Sequence, residues 1–162
     1  MLTIILRQVP YWVWILLPAL VVLGSVQAAP LRRTLGSATL IPLAMVLLSF
    51  YGVLSVFPKQ ALPVLAWGIG IAVAVSLCHT WNVWRGIVWS GSDRRLLIPG
   101  SWLPLAVILG LFSVKFAVGV TLGMQPGLAI NTGFGMAVGL AYGTFSGFFL
   151  GRGIAVWQAA RS

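Results

Sequence analysis

Carboxylates are almost absent from this chain. Asp93 is the only acidic residue among 162, and the chain has one histidine, His79, and one cysteine, Cys78. A single aspartate cannot perform general acid–base catalysis alone. A lone cysteine excludes an intrachain disulfide and a thiolate metal cage, and a lone histidine excludes a multi-histidine site within one chain. We therefore expect no bound metal.

The sequence motifs of common enzyme classes are also missing. There is no HExxH, no P-loop and no GxSxG, and the glycine-rich last apolar stretch lacks the GK[ST] ending of a phosphate loop. We predict that the protein is not an enzyme and uses no cofactor. No inverted repeat is visible, which disfavours a transporter fold built from repeats.

Charged residues of both signs make up only 7% of the chain, whereas 60% is hydrophobic and the mean hydropathy is +1.05. Soluble domains carry about 25% charged residues, so this chain has too little polar surface to cover a soluble globule. The net charge of +9 comes from basic residues scattered between apolar stretches. That pattern is typical of loops facing anionic lipid headgroups, so the expected partner is the lipid bilayer and not nucleic acid.

About 20 apolar residues are needed to cross a bilayer, and five such segments use nearly the whole length. Proline lies inside the first two segments, where Pro18 is expected to kink its helix because it lacks a backbone donor. We predict an all-α fold, an integral membrane bundle of five transmembrane helices in one domain over 1–162. The predicted spans are 11–27, 37–57, 61–79, 101–122 and 127–150.

Basic residues are distributed unequally between the two sides of this five-span arrangement. Arg7 and Lys59 lie on one side, and seven arginines lie on the other. The positive-inside rule then places the N-terminus outside and the C-terminus in the cytoplasm. Arg7, the first apolar run and the sequence Val26-Gln27-Ala28 also fit a cleaved signal peptide. Cleavage would put Arg32 and Arg33 outside, against the bias, so we expect the segment to be kept as the first helix.

The loop between spans three and four, residues 80–100, combines basic and tryptophan residues. Its turn-forming Ser90-Gly91-Ser92-Asp93 lies between short apolar-basic flanks, 83–88 and 94–98, which predicts a small hairpin-like loop at the cytoplasmic interface. A functional interpretation is a platform for an anionic lipid headgroup or a partner, and the alternative is a solvated loop with ordinary interfacial aromatics. The platform residues are Arg85, Arg94, Arg95, Trp84 and Trp89.

Lys115 is the one charge well inside a predicted span, and such residues are functional-site candidates. Counting residues along each span gives the depth of each position in the membrane. At the depth of Lys115 we expect Ser49 and Tyr51 of the second span and Asn131 and Thr132 of the fifth. Three interpretations remain: snorkelling to the interface, hydrogen bonding to Tyr51 and Asn131, or a ligand site. No carboxylate lies at that level, so an unpaired lysine either becomes neutral or recruits an anion.

Glycine recurs at every fourth position in the last span, which places the glycines on one slowly rotating stripe of a helix. In lipid, such small-xxx-small stripes allow close helix packing. We expect the stripe to pack inside the monomer, against span four through Ala106, Gly110, Gly119 and Gly123, or to line an oligomer interface. The helix-packing residues are Gly135, Gly139, Gly143, Gly147 and Gly151.

Several strings resemble a family of small bacterial inner-membrane proteins of unknown function. They are Ile98-Pro99-Gly100-Ser101-Trp102-Leu103-Pro104-Leu105, residues 112–120 from Phe112 to Val120, residues 142–152 from Tyr142 to Arg152, and residues 44–52 from Ala44 to Gly52. The resemblance covers most of the chain. It implies an uncleaved five-helix protein in a Gram-negative plasma membrane and carries no activity, so no catalytic residue is transferred.

Two functional hypotheses follow. In the first, Lys115 with Tyr51, Asn131, Thr132 and Ser49 forms a polar site that binds, or helps to transport, an anionic small molecule or lipid. In the second, the protein is a structural or accessory subunit without ligand chemistry, and its glycine stripe and tryptophan-basic loop dock onto another membrane protein, a second copy or lipid.

Overall fold

The structure is a computed structural model that describes residues 11–26, 28–90 and 95–161. Within these described residues, five α-helices and three short strands follow one another, and a 3-10 helix, Pro126–Ile130, joins the last two α-helices. The helices are α1 (Tyr11–Val26), α2 (Leu35–Val56), α3 (Ala61–Thr80), α4 (Leu103–Met124) and α5 (Thr132–Ala159), and the strands are β1 (Leu31–Arg33), β2 (Val88–Ser90) and β3 (Arg95–Ile98).

Within the described residues, the four helices α2 to α5 are long and apolar enough to cross a membrane. Large apolar side chains such as Leu40, Leu65 and Ile69 point outward on them. A surface of this kind is stable in lipid and not in water, so the chain has the build of a membrane protein. Helix α1 has 16 residues, about 24 Å of rise, which is shorter than a hydrocarbon core of about 30 Å. The five-span count therefore stays a prediction.

Local sequence determines where several helices begin. Thr34 precedes α2, and its hydroxyl accepts a hydrogen bond from the backbone N–H of Ser37. Asn131 precedes α5, and its Oδ1 accepts one from the N–H of Phe134 at 3.0 Å. Both side chains satisfy a backbone donor that has no partner within the helix. Pro104 lies in the first turn of α4, where a missing N–H costs little.

The last helix does not coincide with the predicted span 127–150 at either end. Pro126 begins a separate 3-10 helix, and α5 starts only at its cap, Asn131. Helix α5 then continues past Arg152 to Ala159. An arginine is a good helix former, so a positive charge after an apolar run does not end a helix.

The loop between α3 and α4 contains two paired strands, but the first is 88–90 and not the predicted flank 83–88. Strands β2 and β3 pair antiparallel, with Trp89 opposite Leu96. Of the predicted turn, 90–93, Ser90 belongs to β2, and residues 91–93 lie outside the described residues. The sequence did not predict the third strand: β1 pairs antiparallel with β3, with Arg32 opposite Leu97, so the sheet order is β1-β3-β2. The sheet ties the connection after α1 to the connection after α3 at one end of the bundle.

Helix α5 is the central element. It contacts α3 most closely, α2 next, and α4 through larger side chains, while α1 packs on α4 where Gly24 meets Leu105. The main core lies between α2, α4 and α5. Its buried residues are Val53, Phe57, Leu111, Val118, Val138 and Tyr142.

Candidate functional site

The glycine stripe of α5 is buried against α3 within the chain. A Cβ on Gly139 would overlap the backbone of Pro63, and one on Gly143 would overlap the carbonyl of Trp67. The same holds from the opposite helix, since a Cβ on Gly70 of α3 would lie 2.9 Å from the backbone nitrogen of Thr144. The two backbones therefore touch with no room for a side chain between them, which is the close approach that small residues permit in membranes.

The partner helix predicted for the stripe, span four, is wrong. A Cβ on Gly110 of α4 would meet the Phe145 ring at 2.8 Å, whereas one on Gly119 or Gly123 would meet nothing within 4 Å. The actual partner face on α3 has its own four-residue repeat of small residues, and this repeat is the signal that the sequence analysis missed. It consists of Ala66, Gly70, Ala74 and Cys78, all buried.

A polar layer crosses the bundle beside the stripe. The indole N–H of Trp67 in α3 donates to the Ser49 hydroxyl of α2 at 3.1 Å, and Ser49 donates to the backbone carbonyl of Tyr142 in α5 at 3.1 Å. Ser49 is fully buried. One hydroxyl therefore links three helices, because it accepts one hydrogen bond and donates another between them.

Lys115 of α4 reaches into this part of the bundle and not along the membrane surface. Its ammonium nitrogen lies over the Tyr142 ring, 5.3 Å from the centroid. It also lies 3.1 Å from the point where a Cβ on Gly52 of α2 would be. Glycine at position 52 leaves room for the ammonium, and the electron-rich face of the ring attracts it. Lys115 is half-buried, and within the described residues no hydrogen bond or ion pair to it is formed.

The other predicted partners of Lys115 lie elsewhere. Tyr51 is 69% exposed on the outside of α2, one residue before Gly52 and so about 100° around the helix. Asn131 is used as the cap of α5, and Thr132 follows it on the surface. Both lie about ten residues before Tyr142, or roughly 15 Å along the axis. The level predicted for them was wrong because the predicted span began too early.

One polar group in the same part of α5 is unsatisfied. Ser146 follows Tyr142 by one helical turn, is 1% exposed, and its hydroxyl has no hydrogen-bond partner in the part of the chain that the structure describes. Burying such a hydroxyl without a partner is costly. The region around Lys115 and Tyr142 therefore has more hydrogen-bonding capacity than the chain itself uses.

A second polar region lies at the sheet end of the bundle. A half-open cleft of about 230 Å³ separates the last turns of α3 and α5 from the chain that follows α3. Asn82 and Gly86 both have positive φ there, at 48° and 86°, and these residue types tolerate that conformation. The two turns bring the intervening chain back over α5. The polar side chains that line the cleft are Cys78, His79, Asn82, Trp84, Arg85 and Gln158.

The Trp84 ring forms the inner wall of this cleft. It stacks edge-on against Phe148, with centroids 6.4 Å apart, and the Arg152 guanidinium carbon lies 5.5 Å from the centroid of one of its rings. The Trp84 indole N–H is buried and has no hydrogen-bond partner within the described residues. The Cys78 thiol lies next to it, but a thiol is a weak acceptor, and their geometry does not make a hydrogen bond.

The structure separates the residues of the predicted basic platform. Arg85 and Trp84 line the cleft, whereas Arg95 is exposed on β3. Trp89 is half-buried because it packs on an apolar cluster that includes Leu96. Arg94 lies outside the described residues. No cluster of three histidine, cysteine or acidic side chains that could hold a metal exists among the described residues.

The chain belongs to a family of unknown function (DUF6622), whose family model matches residues 1–162. This match confirms the resemblance to a family without an assigned activity, and it transfers no site residue. No curated protein and no solved structure matches the chain.

Proposed function

We propose that this chain is a small integral membrane protein that binds an anionic small molecule or lipid beside Lys115. The observation that carries the proposal is the position of the Lys115 ammonium, which lies between α2 and α5 next to Gly52 and Tyr142. Lys115 follows the first residue of α4 by twelve positions, about 18 Å of rise, so it lies deep within the span.

Charge is the reason to expect an anion there. The only acidic residue of the chain, Asp93, belongs to the loop between the second and third strands. An intramembrane ammonium is costly without a partner, and a ring face supplies only part of what a counter-ion would supply. An anion approaching the half-buried lysine would be held by the ammonium. The unused Ser146 hydroxyl, one turn from Tyr142, could donate a further hydrogen bond.

The geometry gives less support to the accessory-subunit hypothesis. The glycine stripe, from Gly135 to Gly151, is occupied by α3 of the same chain, so it is not free for a second copy or another membrane protein. Such a partner would have to use the outer faces of the helices, which carry large apolar side chains.

We further propose that all five helices cross a bacterial inner membrane, with the N-terminus outside and the C-terminus in the cytoplasm. The sheet end of the bundle holds Arg32, Arg33, Arg85, Arg95 and Arg152, while Lys59 lies at the opposite end. The positive-inside rule makes the sheet end cytoplasmic. A C-terminal green fluorescent protein fusion should fluoresce and a C-terminal alkaline phosphatase fusion should be inactive. The reverse pattern would overturn the orientation.

The test of anion binding uses laurate as the probe. Purified protein is placed in nanodiscs of neutral phosphatidylcholine, and thermal unfolding is followed with and without laurate. A ligand at about ten times its Kd stabilises by roughly 1.4 kcal/mol, so Tm should rise by about 3–6 °C. Dodecanol has the same chain without the charge and should leave Tm unchanged.

Two lysine variants complete the test, because the chain has only Lys59 and Lys115. Lys115→Leu should abolish the laurate shift, whereas Lys59→Leu, a matched change in an exposed connection, should keep it. An equal shift in all three proteins, or no shift in the wild type, would contradict the proposal. The same holds if Lys115→Leu is more stable than the wild type and loses no binding.

A further inference from the structure

We propose that the cleft at the sheet end binds a phosphate-bearing anion, either the headgroup of a membrane lipid or phosphate free in solution. This site is separate from the one proposed at Lys115, which lies on a different helix and deeper in the bundle. It is a cavity of about 230 Å³, large enough for several water-sized groups, since one water occupies about 30 Å³ of the liquid.

The cleft contains an unmet hydrogen-bond donor. The Trp84 indole N–H lines the cleft, is buried, and has no hydrogen-bond partner within the described residues. Native proteins rarely leave a buried donor unpaired, and each such group calls for an explanation such as a missing ligand or water. The indole N–H can only donate, so a ligand that pairs with it must offer an acceptor atom.

The side chains in and beside the cleft carry positive charge. Arg85 lines the cleft, Arg152 lies against the Trp84 ring, and Arg33 lies close enough to Arg152 to interact with it electrostatically. The cleft faces the C-terminal ends of α3 and α5, which together contribute roughly one negative charge. Arg85 offsets that contribution, Arg152 and Arg33 add positive charge nearby, and among the residues that the structure describes no acidic side chain lines the cleft. The acceptor it favours is therefore anionic.

The donors that line the cleft have a geometry that suits phosphate. The Arg85 guanidinium presents a planar fork that matches two phosphate oxygens, and His79 and Gln158 line the same cleft with further polar groups. A phosphate has enough oxygens to accept from the fork and from the Trp84 N–H together.

The lining changes from polar to apolar with depth. Val75 lies one helical turn before His79 on α3, and Ile154 lies one turn before Gln158 on α5. The polar groups are therefore at the ends of the helices, and the apolar groups are further into the bundle. This gradient matches an amphiphile with its headgroup at the interface, which makes a lipid the better fitting carrier of the phosphate.

The experiment counts lipids bound to the protein by native mass spectrometry. Nanodiscs contain either phosphatidylcholine alone or a mixture with phosphatidylglycerol, and inorganic phosphate is added to the first set. Trp84→Phe removes the N–H and keeps the ring, and Arg85→Gln removes the charge from an exposed residue. The matched controls are Trp81→Phe and Arg95→Gln, because Trp81 and Arg95 are exposed and do not line the cleft.

Retention of phosphatidylglycerol by the wild type and both controls is expected. Binding should weaken by about tenfold in Arg85→Gln, the usual size for loss of a charged hydrogen bond, and by severalfold in Trp84→Phe. A phosphate adduct in phosphatidylcholine nanodiscs with the same dependence on Trp84 and Arg85 would identify free phosphate as the carrier. Equal binding by all five proteins, or binding by none, would overturn the proposal.

Lys115→Leu separates this proposal from the one above. It should leave the Trp84- and Arg85-dependent adduct unchanged, because Lys115 does not line the cleft. Circular dichroism of each variant shows whether it is folded. If Arg85→Gln fails to fold, Gln158→Ala, at an exposed position in the last turn of α5, replaces it and should also reduce binding.

Discussion

The Lys115 ammonium lies over the Tyr142 ring, 5.3 Å from its centroid, and these two residues join α4 to α5. Tyr142 is 3% exposed, so the contact is made inside the bundle. A cation over a desolvated ring gains about 2 kcal/mol, against about 0.5–1 kcal/mol at an exposed site. The charge inside the membrane is therefore oriented by an aromatic residue of a neighbouring helix.

This relationship predicts energetic coupling between the two side chains. Tyr142→Leu should cost more stability in the wild-type background than in the Lys115→Leu background, with a difference of about 0.5–2 kcal/mol. Tyr142→Phe keeps the ring face and should retain the coupling. Unfolding free energies measured by denaturation with sodium dodecyl sulfate in bicelles give the double-mutant cycle. Additive effects would show that the ring does not hold the ammonium.

The contact between α3 and α5 predicts a strong effect of one methyl group. Gly143→Ala forces a Cβ into the Trp67 carbonyl, so the helices must separate, at a cost of about 1–3 kcal/mol. Gly119→Ala is the matched control, since a Cβ there meets nothing within 4 Å. It should be neutral or stabilising by up to about 1 kcal/mol, from helix propensity. Equal melting temperatures for the two variants would refute the described packing.

The hydroxyl that links three helices predicts a measurable loss in Ser49→Ala. This change removes two interhelical hydrogen bonds, each worth about 0.6 kcal/mol on average in membranes, so we expect a loss of about 1 kcal/mol. Ser113→Ala is the control, because the Ser113 hydroxyl bonds only to the Leu109 carbonyl of its own helix. Its unfolding free energy should stay within about 0.5 kcal/mol of the wild type. The interhelical role of Ser49 is contradicted if both variants behave alike.

The three-stranded sheet predicts a specific crosslink. In a Cys78→Ser background, Arg32→Cys with Leu97→Cys places two thiols on directly opposed residues of β1 and β3. Opposed Cβ atoms in antiparallel strands are about 4.5–5.5 Å apart, close enough for oxidative coupling after a small shift. Arg32→Cys with Leu62→Cys is the control, because Leu62 begins α3 at the other end of the bundle. Mass spectrometry of digested protein should detect disulfide-linked peptides for the first pair and none for the control. Their absence in the first pair would argue against the β1–β3 pairing.

Spacing was enough to predict the glycine contact but not its partner. Residues four apart fall on one helix face, so the stripe from Gly135 to Gly151 indicates close packing without knowledge of the fold. The partner required a comparison of all helices, and the repeat from Ala66 to Cys78 is less visible because it mixes alanine, glycine and cysteine. The hairpin was also predictable, since turn residues between short apolar flanks are a local signal.

The structure places several predicted site residues away from Lys115, for reasons of helix phase and helix length. Tyr51 and Gly52 are adjacent, yet a rotation of about 100° per residue puts one on the lipid side and the other against Lys115. Tyr142 was missed as the partner because the start of the last helix was placed too early, and levels in a bundle depend on helix bounds. Strand β1 has only three residues, too few for any alternating pattern to be recognised.

Native mass spectrometry of protein released from nanodiscs tests the account most directly. Wild type, Lys115→Leu and Lys59→Leu are compared after purification from a bacterial membrane without added ligand. We expect an anionic species bound to the wild type and to Lys59→Leu and lost from Lys115→Leu, and its mass would identify the ligand class. Identical spectra for all three proteins, with or without a bound species, would contradict a ligand site at Lys115.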